Sequence, residues 1–169
     1  MFSKRELTIS QIQVQLETMY YPKVRDMIQQ LSIYSMVLAA GNEDELQFLD
    51  TLSHLREELI LLEKWEMQVL FPKLLLDHES DNMQLNDGKQ VSIQTAHKFV
   101  NVKRKKILKL THHLKHLCND FVADFHWPET KRKSCEGLFL FYESLLQYMN
   151  FEELTVSPAI RRISNQIIF

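Results

Sequence analysis

Apolar side chains recur along this chain at steps of three and four residues, the spacing that gathers them on one face of an α-helix. From Tyr21 the series runs through Val24, Ile28, Leu31, Ser35 and Leu38. A second begins at Phe48 and continues through Leu52, Leu55, Leu59, Leu62, Glu66 and Val69. A third carries His97, Val100, Ile107, Leu114 and Cys118, and a fourth Leu138, Phe141, Leu145, Tyr148 and Glu152. These stripes predict helices over about 10–40, 44–76, 91–121 and 129–156. Punctuation agrees with them. Gly41 suits a C-terminal stop, DHESDNMQLNDGKQ from Asp77 has the polarity and turn formers of a loop, and Pro128 suits a helix's first turn. Pro22 lies inside the first stripe and is expected to kink or divide that helix.

Four amphipathic helices joined by two short connections and one longer loop predict an all-α fold, an antiparallel up-down-up-down four-helix bundle. The expectation is one domain over residues 1–169, with its core at about 10–160. The short tail, 161–169, ends in Ile167, Ile168 and Phe169, which are expected to pack on the bundle. Composition supports helices: 169 residues contain 3 glycines and 4 prolines, where average usage would give roughly 12 and 8. Hydrophobic residues at 45% and charged residues at 25% exclude a wholly disordered chain. A net charge of -2 excludes a generally polybasic protein. Glu63, Lys64 and Glu66 interrupt the best apolar run, so no membrane partner is expected. The opening MFSKRELTISQIQVQ lacks the apolar centre of a signal peptide. Two cysteines, Cys118 and Cys135, form no CxxC pair. A cytoplasmic setting is the expectation.

The candidate chemistry lies where polar residues point inward. A carboxylate in an apolar interior costs several kcal/mol unless it is paired or binds a metal, and the stripes place Glu66, His97 and Glu152 inside from three different helices. One reading is a metal cluster of the kind that facing bundle helices build from glutamates and histidines. The other is a pair of carboxyls sharing a proton beside a structural histidine.

Longer stretches carry a resemblance. EELILLEKWEMQVLFPKLL from Glu57 is similar to the second helix of hemerythrin-like (HHE cation-binding) domains, with its H-x-x-x-E followed by L-F-P. MNFEELTVSPAI from Met149 resembles their fourth helix, and YYPKVRDMIQQL around Tyr21 their first. His97 stands where a third-helix histidine is expected. Pro128 with Cys135 is similar to the P…A-C-x-T stretch of the iron-sulfur-cluster repair (repair of iron centres) branch. The likeness covers about Gln11 to Ile160. It implies a hemerythrin-like bundle holding carboxylate-bridged iron, with roles in oxygen or nitric-oxide stress or in maintaining iron centres. Carried over by position, the family's glutamates fall on Glu66 and Glu152 and one histidine on His97. The other three histidines fall on Tyr21, Leu62 and Tyr148, a degenerate ligand set. The resemblance thus implies iron held by Glu66, His97 and Glu152, with Tyr21 and Tyr148 as phenolate ligands. The alternative is a metal-free descendant in which these residues form a buried hydrogen-bond network and the bundle serves as an interaction or sensor module.

Other features read as structural. His112 and His116 are one turn apart and are expected to be solvated or to cap, without a nearby carboxylate, Cys118 suits a core position, and Lys103 to Lys106 with Lys131, Arg132 and Lys133 suit solvated surfaces. No nucleic-acid motif accompanies these cations, so no nucleic-acid partner is expected. A protein partner or a second copy of the chain is the interaction left open. No phosphate-binding glycine loop or nucleophile elbow is present, which leaves the chain without a sign of hydrolase or nucleotide chemistry.

Overall fold

A computed structural model describes residues 7–38, 43–79 and 92–166. Every long element among them is a helix, and no strand occurs among them. The first helix, 9–38, consists of Ile9–Gln15, a π turn at Leu16–Tyr20, and Tyr21–Leu38. The second, 43–79, has the same make-up: Glu43–Trp65, a π turn at Glu66–Leu70, and Phe71–Glu79. The third is Ile93–Leu117, followed by a 3-10 turn at Asn119–Phe121, and the fourth is Glu129–Gln166. The first and third helices start on side-chain caps. Thr8 and Gln11 form a reciprocal capping box at 2.9 and 3.2 Å. Ser92 accepts the Thr95 N–H at 3.1 Å.

The first helix packs against the second and fourth, and the third packs against the second and fourth. One hydrophobic cluster draws on all four and includes Leu16, Leu62, Phe71, Val100, Ile107, Leu138 and Phe141. Gly137 lets the first and fourth helices approach closely, because a Cβ there would lie 3.1 Å from Leu31 Cδ2. No helix of the described residues is long and apolar enough to cross a membrane.

Pro22 neither divides the first helix nor ends it. The turn before it widens instead, so that the Tyr21 N–H donates to the Leu16 carbonyl, five residues back. Pro72 is met in the same way, with the Phe71 N–H donating to the Glu66 carbonyl. A proline inside an α-helix loses one hydrogen bond and presses its ring on the carbonyl four residues before it; a π turn just ahead opens that carbonyl away from the ring. The extra residue also resets which side chains face inward. Buried positions run Ile9, Ile12, Leu16, then Tyr21, Val24, Ile28 and Leu31, with a step of five across the turn. On the second helix Leu70, Phe71 and Leu74 are buried after Glu66, whereas Val69, expected on the stripe, is only half-buried.

The fourth helix continues through Pro158 to Gln166, past its expected end near Val156. Val156, Ser157, Ala159 and Ile160 are buried around the proline, and their packing holds the helix together there. Gly41, most of the loop expected from Asp77, and the terminal Ile167, Ile168 and Phe169 lie outside the described residues.

Candidate functional site

Glu66 opens the second helix's π turn, and the widened turn sets its side chain in the bundle interior at 0% exposure. Its Oε2 accepts two phenol hydroxyls, from Tyr21 on the first helix at 2.6 Å and from Tyr148 on the fourth at 2.7 Å. The two rings meet edge to face with centroids 5.7 Å apart. Glu152, one helical turn beyond Tyr148, is also 0% exposed.

Between the carboxylates lies a residue that the sequence placed on a polar shoulder. Arg104, on the third helix, is only 7% exposed. Its Nη2 is 2.7 Å from Glu152 Oε2 and 3.7 Å from Glu66 Oε1. Its Nη1 donates to Asn101 Oδ1 at 3.3 Å, and Asn101 Nδ2 donates in turn to His97 Nε2 at 3.3 Å. The expected inward stripe needs correction: Ile93, Ala96, Val100, Arg104, Ile107, Thr111 and Leu114 are buried, and His97, one position away, is half-buried. The histidine therefore touches the site through Asn101 and Arg104. Leu62, one turn before Glu66, is fully buried hydrocarbon.

The ion pairs are close but poorly aligned as hydrogen bonds. Glu66 Oε1, both Glu152 oxygens and the Arg104 Nε and Nη2 groups lack a partner at hydrogen-bonding angles. Two carboxylates and one guanidinium leave one negative charge in excess, in a setting where uncompensated charge is costly. Burial first, and then the Glu152 carboxylate, push the Glu66 carboxyl well above the usual range, against the pull of Arg104 and the Tyr21 hydroxyl. Because Oε2 already accepts two hydroxyls, a proton on this carboxyl would sit on Oε1. Burial and the two carboxylates likewise hold both tyrosines in the neutral phenol form, with pKa values raised far above the ordinary 10. Burial disfavours the Arg104 charge, but Glu152 and Glu66 outweigh it and strengthen the proton's hold. His97 is shifted down, by burial and then by Arg104, so it favours neutral imidazole.

A raised Glu66 pKa fixes a sign. Below the unfolded value near 4.3 both states carry the proton; as pH rises, the unfolded chain releases it first, so stability falls until the folded carboxyl titrates, by up to about 1.4 kcal/mol per pH unit. Subtracting a Glu66→Gln variant isolates this slope. Across pH 4 to 8, denaturant unfolding should show the wild type losing stability relative to Glu66→Gln; a constant difference would mean that the Glu66 pKa is unchanged on folding.

The neighbouring cations divide into different roles. Lys103 and Lys106 each hold Glu58 at 2.7 Å, and although burial opposes it, their hydrogen bonds lower the Glu58 pKa. Lys105 is exposed. Cys118 and Cys135 are buried free thiols, with Cys135 Sγ 3.6 Å from the Cys118 carbonyl, and burial raises the Cys135 pKa. Contrary to expectation a carboxylate does lie near the histidine pair, Asp120 at 3.5 Å from His116 on the exposed surface, while the His112 ring lies 6.1 Å from that of Tyr142.

Among the described residues no group of three or more His, Cys, Asp or Glu side chains converges so as to hold a metal ion. No protein-family model matches the chain, and no curated protein matches it.

Proposed function

We propose that this chain is a hemerythrin-like up-down-up-down bundle that works without iron, as an interaction or sensor module, with Arg104 standing between Glu66 and Glu152. The single observation that carries this is the guanidinium 2.7 Å from one buried carboxylate and 3.7 Å from the other. Iron at the same place would share that space with a fixed cation that repels it. The remaining donors fit iron no better: the phenols are neutral and already donate to Glu66, position 62 is leucine, and His97 accepts from Asn101. The unpaired atoms include both acceptors and donors, with Arg104 Nη2 lying between Glu152 Oε2 and Glu66 Oε1. Side-chain pairings support the antiparallel arrangement. Tyr21 meets Glu66 while Arg25 meets Glu63, and Glu58 meets Lys103 and Lys106 while Gln47 meets His113, so partners advance along one helix as they recede along the next.

Elemental analysis and visible spectra of protein expressed with excess iron test this reading. The wild type should be colourless and iron-free. Tyr21→His, Leu62→His and Tyr148→His together should add little iron while Arg104 remains, and substantially more once Arg104→Met is included, since neutral imidazoles then face two carboxylates without a competing cation. A wild type carrying near-stoichiometric iron, with colour bleached by Tyr21→Phe or Tyr148→Phe, would overturn the proposal in favour of an iron protein of oxygen or nitric-oxide stress or iron-centre maintenance.

A further inference from the structure

A cavity of about 220 Å³ opens between the first and second helices and ends on Tyr21 and Tyr148, the two rings that hold Glu66. Its walls are apolar, from Val24, Ile28, Leu59 and Ile60. The volume is below the roughly 300 Å³ at which drug-sized ligands begin, and at about 30 Å³ per water it exceeds what a few solvent molecules fill. The guest it fits is therefore a small molecule with a compact apolar body.

The rim decides the head group. Arg25 and Glu63 line it but neutralise each other in an ion pair. Arg56, from the second helix, and Asp26, from the first, also line it, and both are exposed without an ion pair or hydrogen bond among the described residues. A guest with one negative charge would satisfy Arg56 and face repulsion from Asp26; a guest with one positive charge would do the reverse. A guest carrying both signs on neighbouring atoms complements both. We propose that this cavity binds a free α-amino acid with a large apolar side chain, its carboxylate on Arg56, its ammonium on Asp26 and its side chain against Tyr21 and Tyr148. Such a guest would touch the rings whose hydroxyls hold the buried carboxylate, which gives the sensor reading a ligand class and a place where binding meets the charged network. The inference rests on that reading only for its consequence, since the cavity and its rim do not depend on which cation faces Glu66.

Calorimetric titration of the full chain with phenylalanine, 3-phenylpropionate, phenethylamine and glycine tests it. Phenylalanine should bind saturably. Removing either head-group charge should weaken binding about two- to five-fold, the scale of an exposed ion pair, and glycine, with no side chain to bury, should not bind. Arg56→Gln and Asp26→Asn should each erase the preference for phenylalanine over the analogue lacking the matching charge. Ile60→Trp, at a wall position half exposed to solvent, should block binding by filling the cavity. No binding of phenylalanine, equal binding of all three aromatic ligands, or binding indifferent to Ile60→Trp would overturn the proposal. The failures are separable: an iron-loaded wild type that still selects phenylalanine sinks the metal-free reading alone, and an iron-free wild type that ignores all four ligands sinks this one alone.

Discussion

Replacing Arg104 with methionine should cost about 3–5 kcal/mol, because truncating one partner of a buried ion pair leaves the other charge uncompensated. Methionine keeps much of the apolar stem, so the loss reports the guanidinium and not a large cavity. Here the stranded charge is that of Glu152, the carboxylate nearest Nη2 at 2.7 Å, beside the Glu66 carboxyl at 3.7 Å. Adding Glu152→Gln should recover a large part of the loss, since the remaining carboxyl still accepts the Tyr21 and Tyr148 hydroxyls. Denaturant unfolding of the two single variants, the double variant and the wild type at pH 7 gives the coupling directly. An Arg104→Met protein within about 1 kcal/mol of the wild type would show that Arg104 behaves as an exposed cation does.

Deleting Gln68 should cost at least about 3 kcal/mol, the price of a proline forced into a regular helix interior. Gln68 is an exposed member of the π turn at Glu66–Leu70. Without it the turn tightens to ordinary α geometry, the helix on either side keeps its phase, and the Pro72 ring meets the carbonyl that the wider turn had moved aside. Pro72→Ala in the deleted chain should restore most of the stability, while the same substitution in the intact chain should change it much less. If the deletion is equally costly with and without the proline, the widened turn serves something other than Pro72.

The stripes were legible because burial follows phase, and phase is written in the spacing of apolar residues. Tyr21, Glu66, Tyr148 and Glu152 could be placed inside on that ground before any contact was known. Arg104 could not, since in KRKK it reads as one of four surface cations and nothing in the residue itself marks it as buried. The signal was its position: the stripe leaves gaps of seven from Val100 to Ile107 and from Ile107 to Leu114, and Arg104 fills the first vacant turn as Thr111 fills the second. His97 was set inward by a step of three back from Val100, where the structure takes a step of four to the buried Ala96. Likewise, the five-residue step from Leu16 to Tyr21 marked the first π turn, whereas on the second helix Leu62, Glu66, Leu70 and Leu74 step by four and leave the turn unmarked.

A metal ion between two carboxylates is in exchange with solution, so its occupancy follows supply, dilution and chelators, and the fold's stability follows occupancy. The guanidinium of Arg104 has no such reservoir. Its local concentration at Glu152 is set by the third helix and is the same in every copy of the chain from the moment it folds. Expression in metal-poor medium or purification through chelators consequently leaves this counter-charge in place, and only unfolding or protonation of its partners can remove its effect.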